Sequence, residues 1–290
     1  MLDLSAAFDT LDHNLLVKRL RWYFGFSGIA LQWFLSYLHG RSQRVIIGDT
    51  IFPPRYLEFG VPQGSILGPL LFTLYIAPLQ DVILAYNLNY MFYADDSQVY
   101  IAINPNHPSD ALTTLRHCVE HIFSWNTRNM LKSNPGKIEV LHFTSRFMKQ
   151  PSFGDCITFA GTEINTTKKA RNLGVIMDTN LSFSSHINEI CKKSTLAIRS
   201  IGRIRKYLSL GGLKMLVNTL VILRLDYCNC LLHGIPKYQT DQRDKLQRIQ
   251  NTAARLVMGL KRSDHVTPIL KNLHWLPVVK RIEFKILLIT

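Results

Sequence analysis

Apolar residues recur along the chain with two different periods. After Asp12 they fall three and four apart, at Leu15, Leu16, Leu20 and Tyr23, which predicts a helix capped by Asp12 and ended by Gly25. Ser27 is expected to cap a second helix, with Leu31, Phe34, Leu35 and Leu38 inward and Gly40 at its end. Residues 44–47, the pair Gly48-Asp49 and residues 50–52 predict a β-hairpin stopped by Pro53-Pro54. A helix through Leu67, Leu70, Leu71, Leu74 and Tyr75 is apolar nearly all round and is expected to be buried, with Pro69 tolerated in its first turns. Residues 90–93 and 99–103 are short, aromatic and β-branched, and predict two strands whose shared tip holds Asp95 and Asp96. Ser109 or Asp110 is expected to cap a helix through Leu112, Leu115, Val119, Ile122, Phe123 and Trp125. Strands are expected at 138–143, 153–159 and 172–178, with Pro135-Gly136-Lys137 and Gly161 as turns.

From His186 the pattern becomes wholly helical. Ile187, Ile190, Cys191, Ala197, Ile201, Ile204 and Leu208 share one face, while Lys192, Lys193, Arg199, Arg203 and Lys206 lie largely off it. Further helices are expected near 213–225 and 240–257. The pattern thus predicts an α+β part over 1–185 and a helical part over 186–290, which a chain of 290 residues has room for. Charge sharpens the division. The whole chain carries a formal +14, and residues 186–290 hold 19 Lys and Arg against 6 Asp and Glu, a net +13. So one-sided an excess points to a polyanion, most often nucleic acid. A composition of 47% hydrophobic and 19% charged residues excludes a disordered chain.

The five cysteines are odd in number, and Cys228-x-Cys230 with His233 lacks a second pair of zinc ligands, so reduced thiols in a reducing compartment are expected. No signal peptide is visible, and the uncharged stretch 59–80 is broken by Pro62, Pro69 and Pro78, as a loop and core helix are and a membrane span is not. A location in the nucleus or cytoplasm, away from membranes, is expected.

The candidate chemistry is carboxylate. An isolated Asp-Asp is most often a solvated turn. Asp95 and Asp96, however, sit between apolar strands, where paired like charges need water or a cation. Asp3 stands at another strand end, two residues from Met1, as if its strand were cut short. Three carboxylates from separate strands can hold two Mg²⁺ ions roughly 3.5–4 Å apart, activate a 3′-hydroxyl and stabilise leaving pyrophosphate.

Three motifs in order, Asp3-Leu-Ser-Ala-Ala-Phe8-Asp9, then Gly60-Val-Pro-Gln-Gly-Ser-Ile-Leu-Gly-Pro69, then Phe92-Tyr-Ala-Asp-Asp96, closely resemble reverse transcriptases, nearest to the LINE-type enzymes of non-LTR retrotransposons. The resemblance covers nearly the whole chain. It implies a polymerase palm, a small antiparallel sheet backed by helices, followed by an α-helical thumb. It also implies RNA-directed DNA synthesis from dNTPs on an RNA template and DNA primer, with Mg²⁺ or, in substitution, Mn²⁺. Asp3, Asp95 and Asp96 would bind metal. Phe8 would stack under the incoming sugar and disfavour a 2′-hydroxyl. Gln63 and Gly64 would contact template and nucleotide, Lys137 would approach the triphosphate, and Leu173-Gly174 would grip the primer. The basic helices with Lys192, Lys193, Arg199, Arg203 and Lys206 would hold the nucleic-acid backbone. Asp9 and Asp12 read as a turn neighbour and a helix cap. The sequence departs from the pattern in having Ile138 where Thr is commoner, and in lacking the fingers and endonuclease segments that the family carries upstream. Two rivals follow: a remnant that binds nucleic acid without polymerising, and a carboxylate nuclease, which the lack of His or Glu beside Asp95 and Asp96 disfavours.

The charge asymmetry makes a quantitative prediction. Binding to a primed template should weaken steeply with salt, each phosphate contact adding a slope of roughly −0.9 to log K against log salt. A flat salt dependence in a binding titration would sink the assignment of the basic helices to nucleic acid.

Overall fold

The computed structural model describes residues 1–62, 64–145, 147, 156–159, 161–234, 240–261 and 263–290. Its elements are helices and small antiparallel sheets, a mixed α+β chain. They group into two units, Met1–Val140 with Lys149–Thr167, and Leu141–Met148 with Lys168–Thr290.

In the first unit a short strand, β1 (Leu4–Ser5), precedes α1 (His13–Trp22). The Asp12 carboxylate caps α1 by accepting from the Leu15 amide at 2.8 Å, as its spacing predicts. Next comes α2 (Gly28–Leu38), where Ser27 stands at the cap position without a side-chain capping bond. Four two-residue strands follow: β2 (Ser42–Gln43), β3 (Ile46–Ile47), β4 (Thr50–Ile51) and β5 (Arg55–Tyr56). β3 and β4 pair around Gly48-Asp49 in the predicted hairpin, and β2 pairs with β5. Then come α3 (Gly68–Ile76) and α4 (Leu79–Leu84). α3 differs from the expected all-round burial. Phe72 and Ile76 join Leu71 and Tyr75 inside, but Leu70 is 50% exposed, because only one side of the helix meets α1.

The strands β6 (Asn89–Tyr93) and β7 (Asp96–Tyr100) lead to α5 (Pro108–Arg128). Neither Ser109 nor Asp110 caps α5. Pro108 occupies its first position, where a missing N–H costs nothing, and Asp110 faces the electropositive first turn. β8 (Lys132–Ser133), a 3₁₀ turn at Pro135–Lys137, and β9 (Val140–Leu141) follow, so the expected strand over 138–143 shrinks to two residues. β10 (Cys156–Phe159) and β11 (Thr162–Thr167) form a hairpin around Gly161. The earlier part of the expected strand 153–159 lies outside the described residues.

Leu11, Leu16, Leu20, Leu71, Phe72 and Tyr75 form the heart of this unit's core. A partly buried polar knot lies beside them. The Arg19 guanidinium donates to the Tyr75 carbonyl and the Asn129 side chain, and lies 4.2 Å from the Tyr75 ring centre. Tyr75 in turn donates its hydroxyl to the Asn129 carbonyl at 2.7 Å. Burial lowers the Arg19 pKa and raises that of Tyr75, the expected directions for a cation and a phenol taken out of water. These bonds tie α1, α3 and the end of α5 together.

The second unit opens on a hairpin, β12 (Lys169–Asn172) and β13 (Val175–Asp178), with Leu173-Gly174 at its tip. Sequence periodicity had suggested a single strand entering a turn there. Asp178 is buried and organises the exit. Its carboxylate accepts from the amides of Asn180 and Ser182 and from the Ser182 hydroxyl. The long helix α6 (Ser184–Ile204) follows, then α7 (Leu210–Val217), one π-helical turn at Asn218–Ile222, and α8 (Leu223–Asp226). The expected helix near 213–225 is therefore continuous in direction but widened in the middle. α9 (Thr240–Met258) packs on α6, and its Ala253, Ala254 and Val257 are buried in the core of this unit. α10 (Val266–Asn272) and α11 (Val278–Ile289) complete the unit. Gln250, fully buried, donates to the Leu276 carbonyl, and Arg281 pairs with both oxygens of Asp226. No helix among the described residues is long and apolar enough to cross a membrane.

Phe72 is fully buried at the centre of the first core. Phe72→Ala should cost about 3–5 kcal/mol, read as a lowered denaturant midpoint; a shift below about 1 kcal/mol would show that the core does not depend on α3.

Candidate active site

The β6–β7 hairpin closes with Tyr93 opposite Asp96 and only Ala94 and Asp95 in the turn. The second strand therefore begins at Asp96, three residues before the predicted start. Asp95 lies in the turn and Asp96 opens the strand, so the two carboxylates leave the backbone at successive positions of a tight bend. Ala94 adopts φ 52°, a left-handed conformation that costs a side-chain-bearing residue roughly 1 kcal/mol or more.

Asp3 is brought to this tip by its neighbours on both sides. The Leu2 amide donates to the Ser97 carbonyl at 2.7 Å, and the Ser97 amide returns a bond to the Leu2 carbonyl at 3.2 Å. This antiparallel bridge, carried one residue on, sets Asp3 beside Asp96. On the other edge, Leu4 and Ser5 pair with Ser133 and Lys132, and the Asn134 amide donates to the Asp3 carbonyl at 3.0 Å. Met1 and Glu139 exchange two more bonds. Residues 1–5 thus form a middle strand held by the hairpin on one side and residues 132–139 on the other. That is how so short a strand holds a carboxylate in place.

The electrostatics agree with this register. The Asp96 carboxyl is pushed up, first by partial burial and then by the charges of Asp95 and Asp3. Asp3 Oδ2 is buried without a hydrogen-bond donor, although the Lys137 ammonium lies 3.2 Å away as an ion-pair partner. Lys137 stands on the 3₁₀ turn with its side chain 66% exposed, so the turn places a flexible cation beside Asp3. Among the described residues no three His, Cys, Asp or Glu side chains are already gathered into a cation cage. What Asp3, Asp95 and Asp96 present is an all-oxygen set under mutual repulsion, with one buried oxygen short of a donor. That chemistry fits a hard divalent ion.

Phe8 follows the strand and is half-buried, its ring centre 5.0 Å from that of Phe72. The loop of residues 60–68 is bonded to the turn around Phe8. Val61 donates to the Phe8 carbonyl at 2.9 Å, and Gly60 donates to the Leu11 carbonyl at 2.7 Å. Gly64 is exposed at φ 80° and Ser65 Oγ accepts from the Gly68 amide at 3.1 Å, starting α3. Gln63 lies outside the described residues. His13, whose Nε2 bonds the Gly60 carbonyl at 2.7 Å, was not legible as a site residue from sequence. The signal that pointed nearest to it was Gly60, a glycine opening the motif.

Leu173 and Gly174 belong to the second unit, at the tip of the β12–β13 hairpin. Both are left-handed, at φ 43° and 84°. Tyr227 donates its hydroxyl to the Leu173 carbonyl at 2.5 Å and lies against Gly174, where a Cβ would meet the ring at 3.4 Å. No sequence spacing announces that partnership. Lys192, Lys193, Arg199, Arg203 and Lys206 are all exposed along α6 and the turn after it; Lys193 pairs with Glu189 at 3.0 Å. Cys118, Cys191, Cys228 and Cys230 are free thiols, and burial pushes Cys118 up to about 11.

A family model described as reverse transcriptase (RNA-dependent DNA polymerase) matches residues 1–177, and the chain belongs to that family. Its relatives are polymerases of non-LTR retrotransposons. It is 26% identical over 279 residues to the probable RNA-directed DNA polymerase from transposon BS of Drosophila melanogaster, covering 88% of this chain and 28% of that protein. It is 28% identical over 268 residues to the probable RNA-directed DNA polymerase from transposon X-element of the same species, covering 89% and 28%. With the Pol polyprotein from type-1 retrotransposable element R1 of Nasonia vitripennis it shares 25% identity over 224 residues, 75% of this chain and 65% of that one. The chain thus spans under a third of the length of the two Drosophila proteins.

The charge cluster has a measurable signature. Asp3→Asn removes one of the charges that raise the Asp96 carboxyl, so Asp96 should titrate lower in the variant, read by carbon-detected NMR; an unmoved Asp96 would mean that Asp3 does not share its site. The stability that follows from a raised carboxyl is complete below the ordinary carboxylate range and is lost as pH rises through the raised value. Asp96→Asn should flatten that loss.

Proposed function

We propose that this chain is the palm and thumb of an RNA-directed DNA polymerase that transfers nucleotides from dNTPs to a primer 3′-hydroxyl on an RNA template. The observation that carries this reading is the Leu2–Ser97 bridge, which draws Asp3 to the tip holding Asp95 and Asp96. On this reading Asp3, Asp95 and Asp96 hold two divalent cations, Mg²⁺ or Mn²⁺. Held by these carboxylates, divalent cations would supply acidification of the primer hydroxyl and stabilisation of negative charge on the leaving pyrophosphate. Lys137, on its exposed arm beside Asp3, moves its ammonium to the triphosphate. Phe8 would pack under the sugar, and the motif positions Gln63 and Gly64 would contact the template and the incoming nucleotide.

Residues 1–185 form the palm on this proposal, and residues 186–290 the thumb. The hairpin carrying Leu173 and Gly174 groups with the helical unit, so primer-end contacts and backbone contacts from Lys192, Lys193, Arg199, Arg203 and Lys206 come from one body. Tyr227 keeps the hairpin tip in the left-handed shape that presents its backbone.

Primer extension with Mg²⁺ and dNTPs on a primed RNA template tests the reading. Extension should occur with the wild-type chain and fall to background in Asp95→Asn, with template binding retained. Binding without extension by the wild-type chain would favour a nucleic-acid-binding remnant, and cleavage without dNTPs a nuclease.

A further inference from the structure

The turn after Asp3 and the glycine loop lie far apart in sequence, yet they are bonded into one piece. Gly60 uses both of its backbone groups on that turn: its amide donates to Leu11 and its carbonyl accepts from His13 Nε2, each at 2.7 Å. Val61 adds the bond to the Phe8 carbonyl. Asp12 and Phe59 are bridged beside them. Gly60 sits at φ +81°, and a Cβ there would meet the Asp9 carbonyl at 2.9 Å and the Phe8 carbonyl at 3.1 Å, so the two backbones touch. His13 is 4% exposed, and its bond to a carbonyl requires the proton on Nε2. A buried imidazole opening a helix is not explained by helix propensity, since His is a middling helix former. It is explained by the carbonyl it satisfies.

Beyond this clasp the Ser65 amide donates to the Pro62 carbonyl, Gly64 is exposed, and Ser65 Oγ accepts from the Gly68 amide at the start of α3. The spacing between Phe8 and Gly60-Val61 is set by bonds from Leu11, His13 and Phe8 itself. We infer that His13 is a positioning residue, clasping Gly60 and Val61 to the Phe8 turn so that the wall under the nucleotide's sugar is held in place, and that this clasp sets the preference for deoxyribonucleotides over ribonucleotides. The inference rests on the polymerase reading above. Sugar selection is a difference between two transition-state energies, and small displacements of a packing wall act on it directly.

The test uses the full chain with His13→Ala, His13→Phe and His13→Gln, whose amide nitrogen can take the place of Nε2. Amide hydrogen exchange at Gly60 and Val61 is read without substrate. The ratio of primer extension with dNTPs to that with rNTPs is read with KM and kcat separated. His13→Ala and His13→Phe should lose protection at both amides and lower the dNTP preference by about fivefold or more, mainly through KM for the dNTP. His13→Gln should restore both. An unchanged preference in His13→Ala, or a Gln variant as impaired as the Ala one, would overturn the inference. Absence of extension by the wild-type chain would overturn the polymerase reading and the selection role with it, while the exchange data would still report on the clasp itself.

Discussion

Two backbone hydrogen bonds between Leu2 and Ser97 hold the candidate centre together. Side chains alternate across a strand, so the register of this one bridge decides on which face Asp3 emerges. Everything else about the carboxylates is local: Asp95 and Asp96 are fixed by their own hairpin. Asp3 stands beside the hairpin tip because a nonlocal pairing joins two local structures. The opposite edge of the same strand, paired with Lys132 and Ser133, keeps that register from slipping.

A second nonlocal join repeats the logic a few residues on. Gly60 and Val61 are bonded to the backbone of the turn after Asp3, and the absence of a Cβ at Gly60 is what lets the two backbones touch. In the helical unit, Tyr227 does for the Leu173-Gly174 tip what Leu2 does for Asp3, holding a short turn from a distant part of the chain. Each motif segment is small, and each is positioned by a contact from elsewhere.

The sequence was informative where structure is local. Asp12 announces its helix, Gly48-Asp49 its hairpin, and the periodicity after His186 the long helix α6. It was less informative where burial is decided by neighbours. Leu70 follows the helical stripe yet is half exposed, and Ser109 and Asp110 look like caps yet lie inside a helix that Pro108 starts. The start of β7 was placed three residues late because Asp96 and Ser97 lack strand propensity, and pairing with Phe92 and Tyr93 overrides it. The closeness of Asp3 to the Asp95-Asp96 tip depends on a strand register that the order of the motifs does not contain. His13 and Tyr227 could not be named from sequence, since each acts on a backbone carbonyl, which leaves no pattern in the side chains around it.

Ala94 carries a consequence of its own. A methyl group at φ 52° holds the tip in a conformation that glycine would adopt freely. Glycine there would relax the turn and let Asp95 sample many directions. Alanine keeps the turn in one narrow well at some cost to the fold. The bend of the tip is thus set by the fold itself, and with it the direction in which the chain leaves Asp95.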